Sequence, residues 1–197
     1  MNSPIEIFQE NWQKAKSLDD ANAQYCSLAT VSKDGQASIR TLVLREVTNG
    51  SFLIFVNDTS SKWKDLLLAK QSELLVFWPS LMQQYRIRGE YSEVSAGAMK
   101  LHWAKKPYDS KILDHYYSQY QSQSSVVESR ETMLNGIAEL KSRYPIDKEV
   151  PFPDNAKGVA IQASYIEIWH GSASDRLHHR NLYLLSDETW EQQTLVP

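Results

Sequence analysis

Apolar and polar positions change period several times along this chain. Over residues 4–19, Ile5, Phe8, Trp12 and Ala15 recur at steps of three and four. That spacing predicts an amphipathic helix, with Ser3 as its cap and Pro4 as its first residue. From Tyr25 the pattern shortens. Residues 25–32, 37–47 and 51–57 are rich in β-branched and aromatic side chains. They are separated by Lys33-Asp34-Gly35 and Thr48-Asn49-Gly50, both hairpin-turn sequences. Three strands joined by two tight turns predict an antiparallel meander.

Residues 59–70 predict a helix capped by Thr59 or Ser60. Residues 73–78 form an apolar run of strand length. Residues 83–94 alternate, with Gln84, Arg86 and Arg88 on one face and Tyr85 and Ile87 on the other. Helices follow over 96–106 and 109–120, divided at Pro107, then a polar joint at 122–125 and a helix over 128–144. A proline-bearing loop at 145–154 leads to strands over 158–169, 180–185 and 189–195. Antiparallel strands can hide their edges by closing on themselves. Regular β-α-β alternation is absent. The expected fold class is therefore α+β: an antiparallel split β-barrel of six or seven strands with peripheral helices, built as one domain over residues 1–197.

Composition narrows the chemistry. The chain has 197 residues and 7 glycines, where average usage would give about 14. No two glycines lie close enough for a G-x-G-x-x-G fingerprint or a G-x-x-x-x-G-K phosphate loop. Any phosphate must then be held mainly by Arg, Lys, Ser and Gln side chains. The lone Cys26 rules out an internal disulfide framework or a Cys-based zinc site. It also favours a reducing compartment. With 21 basic and 24 acidic side chains and a net charge of −3, nucleic acid is not the expected partner. Residues 1–20 carry scattered charges and no apolar stretch, so no signal peptide is expected. Apolar runs such as 74–78 are shorter than a membrane span. The expected location is the cytoplasm, with neither membrane nor metal.

Four places could carry chemistry. Arg40 and Arg45 bracket the apolar Thr41-Leu42-Val43-Leu44. Five residues apart in a regular strand, they would face opposite sides, serving a ligand or simply the solvent. The turn Asn57-Asp58-Thr59-Ser60-Ser61-Lys62 combines hydroxyls, a cation and a helix start, either a phosphate seat or an ordinary cap. Gln84 offers both a donor and an acceptor to a heterocycle, if its face is not merely exposed. Residues 169–180 are dense in rings and cations: Trp169, His170, Arg176, His178, His179 and Arg180. Zinc needs three or four ligands, and with arginine at both ends an anion site is the better expectation.

Together these pieces resemble the pyridoxamine 5′-phosphate oxidase family of FMN-dependent split-barrel enzymes. The resemblance rests on PIEIFQENW, RTLVLR, FVNDTSSK, QQYRIRG, KKPYDS, Gln123-Ser124-Ser125, and IEIWHG followed by RLHHR. These seven elements stand in the family's order and cover nearly the whole chain. The resemblance implies FMN as cofactor and a homodimer whose site is shared between subunits, with residues from about 155 to 197 serving the dimer and the substrate. It implies that Arg40, Ser61 and Lys62 face the cofactor phosphate. The strand from Thr41 through Leu42, Val43 and Leu44 to Arg45, with Phe55 and Val56, lies along the cofactor. Gln84 bonds its ring, and Gln123, Ser124, Trp169 and Arg180 reach it across the interface. Arg45, His102, Lys106 and Ser110 hold the phosphate of a phosphorylated substrate. Arg176 and His178 cover the pyridine ring as the catalytic pair.

The implied reaction passes a hydride equivalent from the amine-bearing carbon of pyridoxamine 5′-phosphate to the flavin. The imine then hydrolyses to pyridoxal 5′-phosphate, and O₂ returns as peroxide. The departures concern mainly the substrate end. Ser61 stands where the family has Arg, Lys106 where it has Arg, His102 where it has Tyr, and Arg45 where it has Lys. One extra residue precedes Arg176, and His179 stands where Asp is usual. The chain as read carries no basic N-terminal segment of the kind that closes over the family's substrate. A related oxidoreductase acting on another anionic heterocycle, of the phenazine-precursor type, therefore stays open, as does a flavin-binding protein without turnover.

Overall fold

A computed structural model describes residues 3–69 and 72–197. It follows the predicted order closely. α1 (Pro4–Ser17) is opened by a capping box in which Ser3 and Glu6 satisfy each other's backbone N–H. β1 (Tyr25–Val31), β2 (Ala37–Thr48) and β3 (Ser51–Asn57) form the meander. α2 (Ser61–Ala69), β4 (Ser72–Trp78) and β5 (Gln83–Glu93) come next. The expected end of α2 at Lys70 lies outside the described residues. α3 (Ala96–Ala104), α4 (Tyr108–Gln119) and α5 (Arg130–Arg143) precede β6 (Ala156–His170), β7 (His179–Ser186) and β8 (Thr189–Thr194). Replacing Ser3 with alanine removes one half of the capping box. The expected cost is about 1 kcal/mol, read as a lower urea midpoint with an unchanged slope.

The strands pair in the order β3-β2-β1-β4-β5-β6-β7-β8, and β3 also pairs with β6. Six strands thus close a barrel, and β7 and β8 continue the sheet beyond β6. Closure removes the open edges that an antiparallel sheet would otherwise present. The expected six- or seven-stranded barrel is therefore observed with six strands closed.

By contacts the chain divides into two compact units. The first comprises residues 1–54, 68–92 and 160–197; the second comprises 55–67 and 93–159. In the first, Phe8 sits among Phe52, Trp78 and Tyr85 with ring centroids 5.0, 5.1 and 4.9 Å away. The Trp12 indole donates to the Ala23 carbonyl at 2.5 Å. These aromatics are core, as the periodicity of α1 and β5 predicts. Cys26 is also buried there, which pushes its thiol up to about 12 and makes it inert. In the second unit Trp103, Ile112, Tyr116, Leu140, Val150 and Ala156 form a separate core between α3, α4, α5 and the loop before β6. Among the described residues no helix is long and apolar enough to cross a membrane.

Candidate active site

In the second unit the site is built where β3 runs into α2. Asn57 is buried, and its Oδ1 accepts from the Thr59 N–H at 3.1 Å and the Thr59 hydroxyl at 2.6 Å. Ser60 Oγ donates to the Asn57 carbonyl at 2.6 Å and accepts from the Trp63 N–H at 3.4 Å. The turn is therefore fixed by its own hydroxyls. The N–H groups of Ser61 and Lys62, in the first turn of α2, have no acceptor within the helix, and the helix dipole adds partial positive charge there. Lys62 is only 7% exposed and donates to Gln123 Oε1 at 2.7 Å. The Gln123 N–H in turn donates to Thr59 Oγ1 at 3.0 Å. Ser124 adopts a left-handed φ of 68° beside it. The distant 122–125 joint is thus seated on the start of α2.

The same hydrogen bonds lead to a second cation. Asn57 Nδ2 donates to Asp114 Oδ1 at 3.2 Å, and Asp114 Oδ2 is paired with the Lys106 ammonium. The Lys106 ammonium also lies 5.3 Å from the Trp103 ring centroid. A continuous series therefore runs Lys62, Gln123, Thr59, Asn57, Asp114, Lys106. His102 meets Phe55 edge-on at 5.4 Å between centroids. Val56 is buried, and Ser110 lies in the first turn of α4, its N–H bonded to the Pro107 carbonyl at 3.0 Å. This unit thus joins Lys62 to Gln123 and Phe55 to His102, and it ties Lys106 to a carboxylate that the sequence reading did not single out.

In the first unit Arg40 donates through Nη1 to Thr30 Oγ1 at 2.7 Å, the Leu28 carbonyl at 3.2 Å and the Ser38 carbonyl at 3.3 Å. It shares its strand face with half-buried Leu42 and buried Leu44. The β2–β3 register shifts between Leu44 and Glu46, placing a bulge at Arg45. Bulges re-aim side chains, so the regular alternation expected between Arg40 and Arg45 is interrupted at Arg45 itself. Desolvation lowers the Arg45 pKa from the ordinary arginine value.

Phe77 organises several of the remaining candidates. Thr41 and Phe77 line one cavity of about 140 Å³ with Asn22, Cys26 and Leu75. Gln84 is the cross-strand partner of Phe77, and the Trp169 ring lies 6.5 Å from it. The His178 ring lies tilted beside Trp169, 4.9 Å between centroids, and its Nδ1 accepts from the Ser172 N–H at 3.0 Å. In the neutral ring the proton is then on Nε2. Asp175 Oδ1 accepts from Ser172 Oγ at 2.5 Å and the Leu177 N–H at 2.9 Å, shaping the loop on which Arg176 is exposed with φ 60°. Phe77 was legible only as one residue of an apolar run.

Arg180 in this unit is paired with a buried acid. Its Nε and Nη2 donate to Glu167 Oε1 at 3.0 and 2.8 Å. Glu167 is 3% exposed, and its Oε2 accepts from Arg86 Nη1 at 3.1 Å and the Tyr165 hydroxyl at 3.2 Å. Arg86 also pairs with Glu73 at 2.5 Å, and Arg88 pairs with the same carboxylate. Burial raises the Glu73 pKa, but hydrogen bonds from Arg86 and Arg88 outweigh it, and the carboxyl ends below the usual glutamate range. The signal for Glu167 was an acid inside the apolar IEIW run, which by itself does not name its partners.

The donor set fits the phosphate end of FMN. Lys62 supplies charge, Ser61 a hydroxyl and the start of α2 its N–H groups, all without a glycine cradle. In the first unit, Gln84, Phe77 and Trp169 carry amide and aromatic surfaces of the kind that suit a flavin ring. Among the described residues no group of three or more His, Cys, Asp or Glu side chains could hold a metal.

The closed barrel with two added strands is the fold of the FMN-binding split barrels. PhzG from Burkholderia lata 383, solved in complex with tetrahydrophenazine-1-carboxylic acid, superposes with a TM-score of 0.88 at 22% identity. The match covers 100% of this chain and 94% of that one. A pyridoxamine 5′-phosphate oxidase-related, FMN binding protein from Nostoc punctiforme PCC 73102 superposes with a TM-score of 0.76 at 16% identity, covering both chains fully. These two likenesses concern the fold. The family model described as pyridoxamine 5′-phosphate oxidase matches residues 15–141. A pyridoxine/pyridoxamine 5′-phosphate oxidase from Psychrobacter sp. (strain PRwf-1) is 36% identical over 87% of this chain and 79% of its own length. One from Rhodopirellula baltica is 33% identical over 96% and 83%. The chain belongs to the pyridoxamine 5′-phosphate oxidase family and is an FMN-dependent oxidoreductase.

Proposed function

We propose that this chain binds FMN and oxidises pyridoxamine, or pyridoxine, 5′-phosphate to pyridoxal 5′-phosphate with O₂ as acceptor. The observation that carries the reading is the buried Lys62–Gln123 pair at the start of α2, in a chain whose relatives bear that name. Bound FMN would supply the two-electron chemistry. Lys62, Ser61 and the first turn of α2 hold its phosphate, and Gln123 keeps the ammonium in place. The β2 stretch from Arg40 to Arg45, with Gln84, contacts the cofactor. His102, Lys106 and Ser110 take the anionic end of the substrate, as does Arg45. His178, with its proton on Nε2, donates toward the substrate ring, and Arg176 lies beside it on the same loop. The working form is a homodimer in which residues from about 155 onward, Trp169 and Arg180 among them, together with Ser124, serve the partner's site. The setting is the cytoplasm.

A second reading is an oxidoreductase acting on a different anionic heterocycle. One observation favours it: the charge of Lys106 is already matched by Asp114. The PhzG structure, whose bound compound is a carboxylic acid, supports the same direction. Both readings require the cofactor. Lys62→Ala should weaken FMN binding about 10- to 150-fold, since a hydrogen bond to a charged group contributes about 1.5–3 kcal/mol. Quenching of flavin fluorescence during titration measures it. An affinity equal to that of the unsubstituted chain would overturn the assignment of the seat.

A further inference from the structure

The Lys106–Asp114 pair sets how strongly the site can grip an anion. The side chains of Lys106 and Asp114 are 14% and 7% exposed, so water screens their attraction weakly. Asp114 cannot turn away, because its other oxygen is held by Asn57 Nδ2 and its carbonyl by Asn155 Nδ2 at 2.7 Å. Asn57 is fixed in turn by Thr59, and Thr59 by the Gln123 backbone. A lysine so paired offers an incoming anion only part of its positive field. Arginine in its place could serve a carboxylate and a phosphate at once through its planar fork, whereas lysine is a point charge. Lys62, by contrast, is bonded in this series to the neutral amide oxygen of Gln123. Asp114 is the carboxylate in the series, and it stands at the Lys106 end.

We propose that Asp114 is a specificity-determining residue that discounts the charge Lys106 presents, so that the doubly charged phosphate of a ligand adds little affinity here. The proposal rests on the reading that Lys106 faces the anionic end of the substrate. It implies a site that tolerates singly charged or carboxylate-bearing ring compounds as well as phosphate esters. Asp114 does not touch the reacting atoms.

The test uses the full chain with FMN added and two probes, pyridoxal 5′-phosphate and pyridoxal. The ratio of the pyridoxal dissociation constant to that of pyridoxal 5′-phosphate reports what the phosphate contributes. Asp114→Asn keeps an acceptor for Asn57 and should tighten pyridoxal 5′-phosphate about tenfold with pyridoxal unchanged, raising the ratio. Lys106→Met should lower the ratio, and the double variant should match Lys106→Met. Should Asp114→Asn fail to fold, Asp114→Ser removes the charge while keeping a hydroxyl for Asn57. A ratio unchanged or lowered by the Asp114 variants, while Lys106→Met still lowers it, overturns the proposal and leaves the Lys106 reading standing. A ratio untouched by Lys106→Met overturns that reading and the proposal with it.

Discussion

Gly89→Ala is expected to destabilise the barrel severely. Gly89 lies in β5 where β6 passes, and a Cβ there would overlap the Gln162 carbonyl oxygen. It would also lie 2.6 Å from the Gln162 carbonyl carbon and 2.9 Å from Ala163 Cα. These are backbone atoms, so no rotamer change relieves the clash. Overpacking costs of this kind run to about 3 kcal/mol or more, against a total stability of about 5–15 kcal/mol for a domain. Gly97→Ala is the control. Nothing lies within 4 Å of its Cβ position, and it sits inside α3, where alanine is favoured by about 1 kcal/mol. Urea unfolding should show the first variant poorly folded and the second at least as stable as the parent. Equal midpoints for Gly89→Ala and the parent would contradict the β5–β6 approach.

Glu167→Ala is expected to be nearly as damaging. It strips Arg180 of both its bonds to Oε1 and leaves Arg86 with Glu73 alone. Removing one partner of a buried ion pair costs about 3–5 kcal/mol, and the partly exposed arginines place this case near the lower end. Glu73→Ala should cost less, because its side chain is 22% exposed against 3% for Glu167. Glu73 also gives the cluster an acid dependence. Its carboxyl is held below the ordinary value, so its stabilisation is complete above that value. It is lost as pH falls through the lowered one. Urea midpoints that rank Glu73→Ala as the more damaging variant would contradict the burial of Glu167.

Nearly every element was legible because each carries a strong local period with clear punctuation. The α1 stripe of Phe8, Trp12 and Ala15 is buried as its spacing requires, and Asn49-Gly50 turns with φ of 50° and 78°. Pro107 separates α3 from α4, as its missing N–H demands. What stayed hidden depends on partners distant in sequence. Asp114 looks like one more polar residue on α4 until Lys106 and Asn57 meet it. Glu167 acquires meaning only when β4, β5 and β7 bring Glu73, Arg86 and Arg180 alongside. The bulge at Arg45 is likewise a property of pairing with β3, which strict alternation within β2 does not contain.

The most direct measurement is peroxide release in air from the FMN-loaded chain on addition of pyridoxamine 5′-phosphate. The account predicts peroxide and pyridoxal 5′-phosphate in equal amounts, with no turnover when FMN is left out. A chain that holds FMN yet yields no peroxide with pyridoxamine or pyridoxine 5′-phosphate would contradict it.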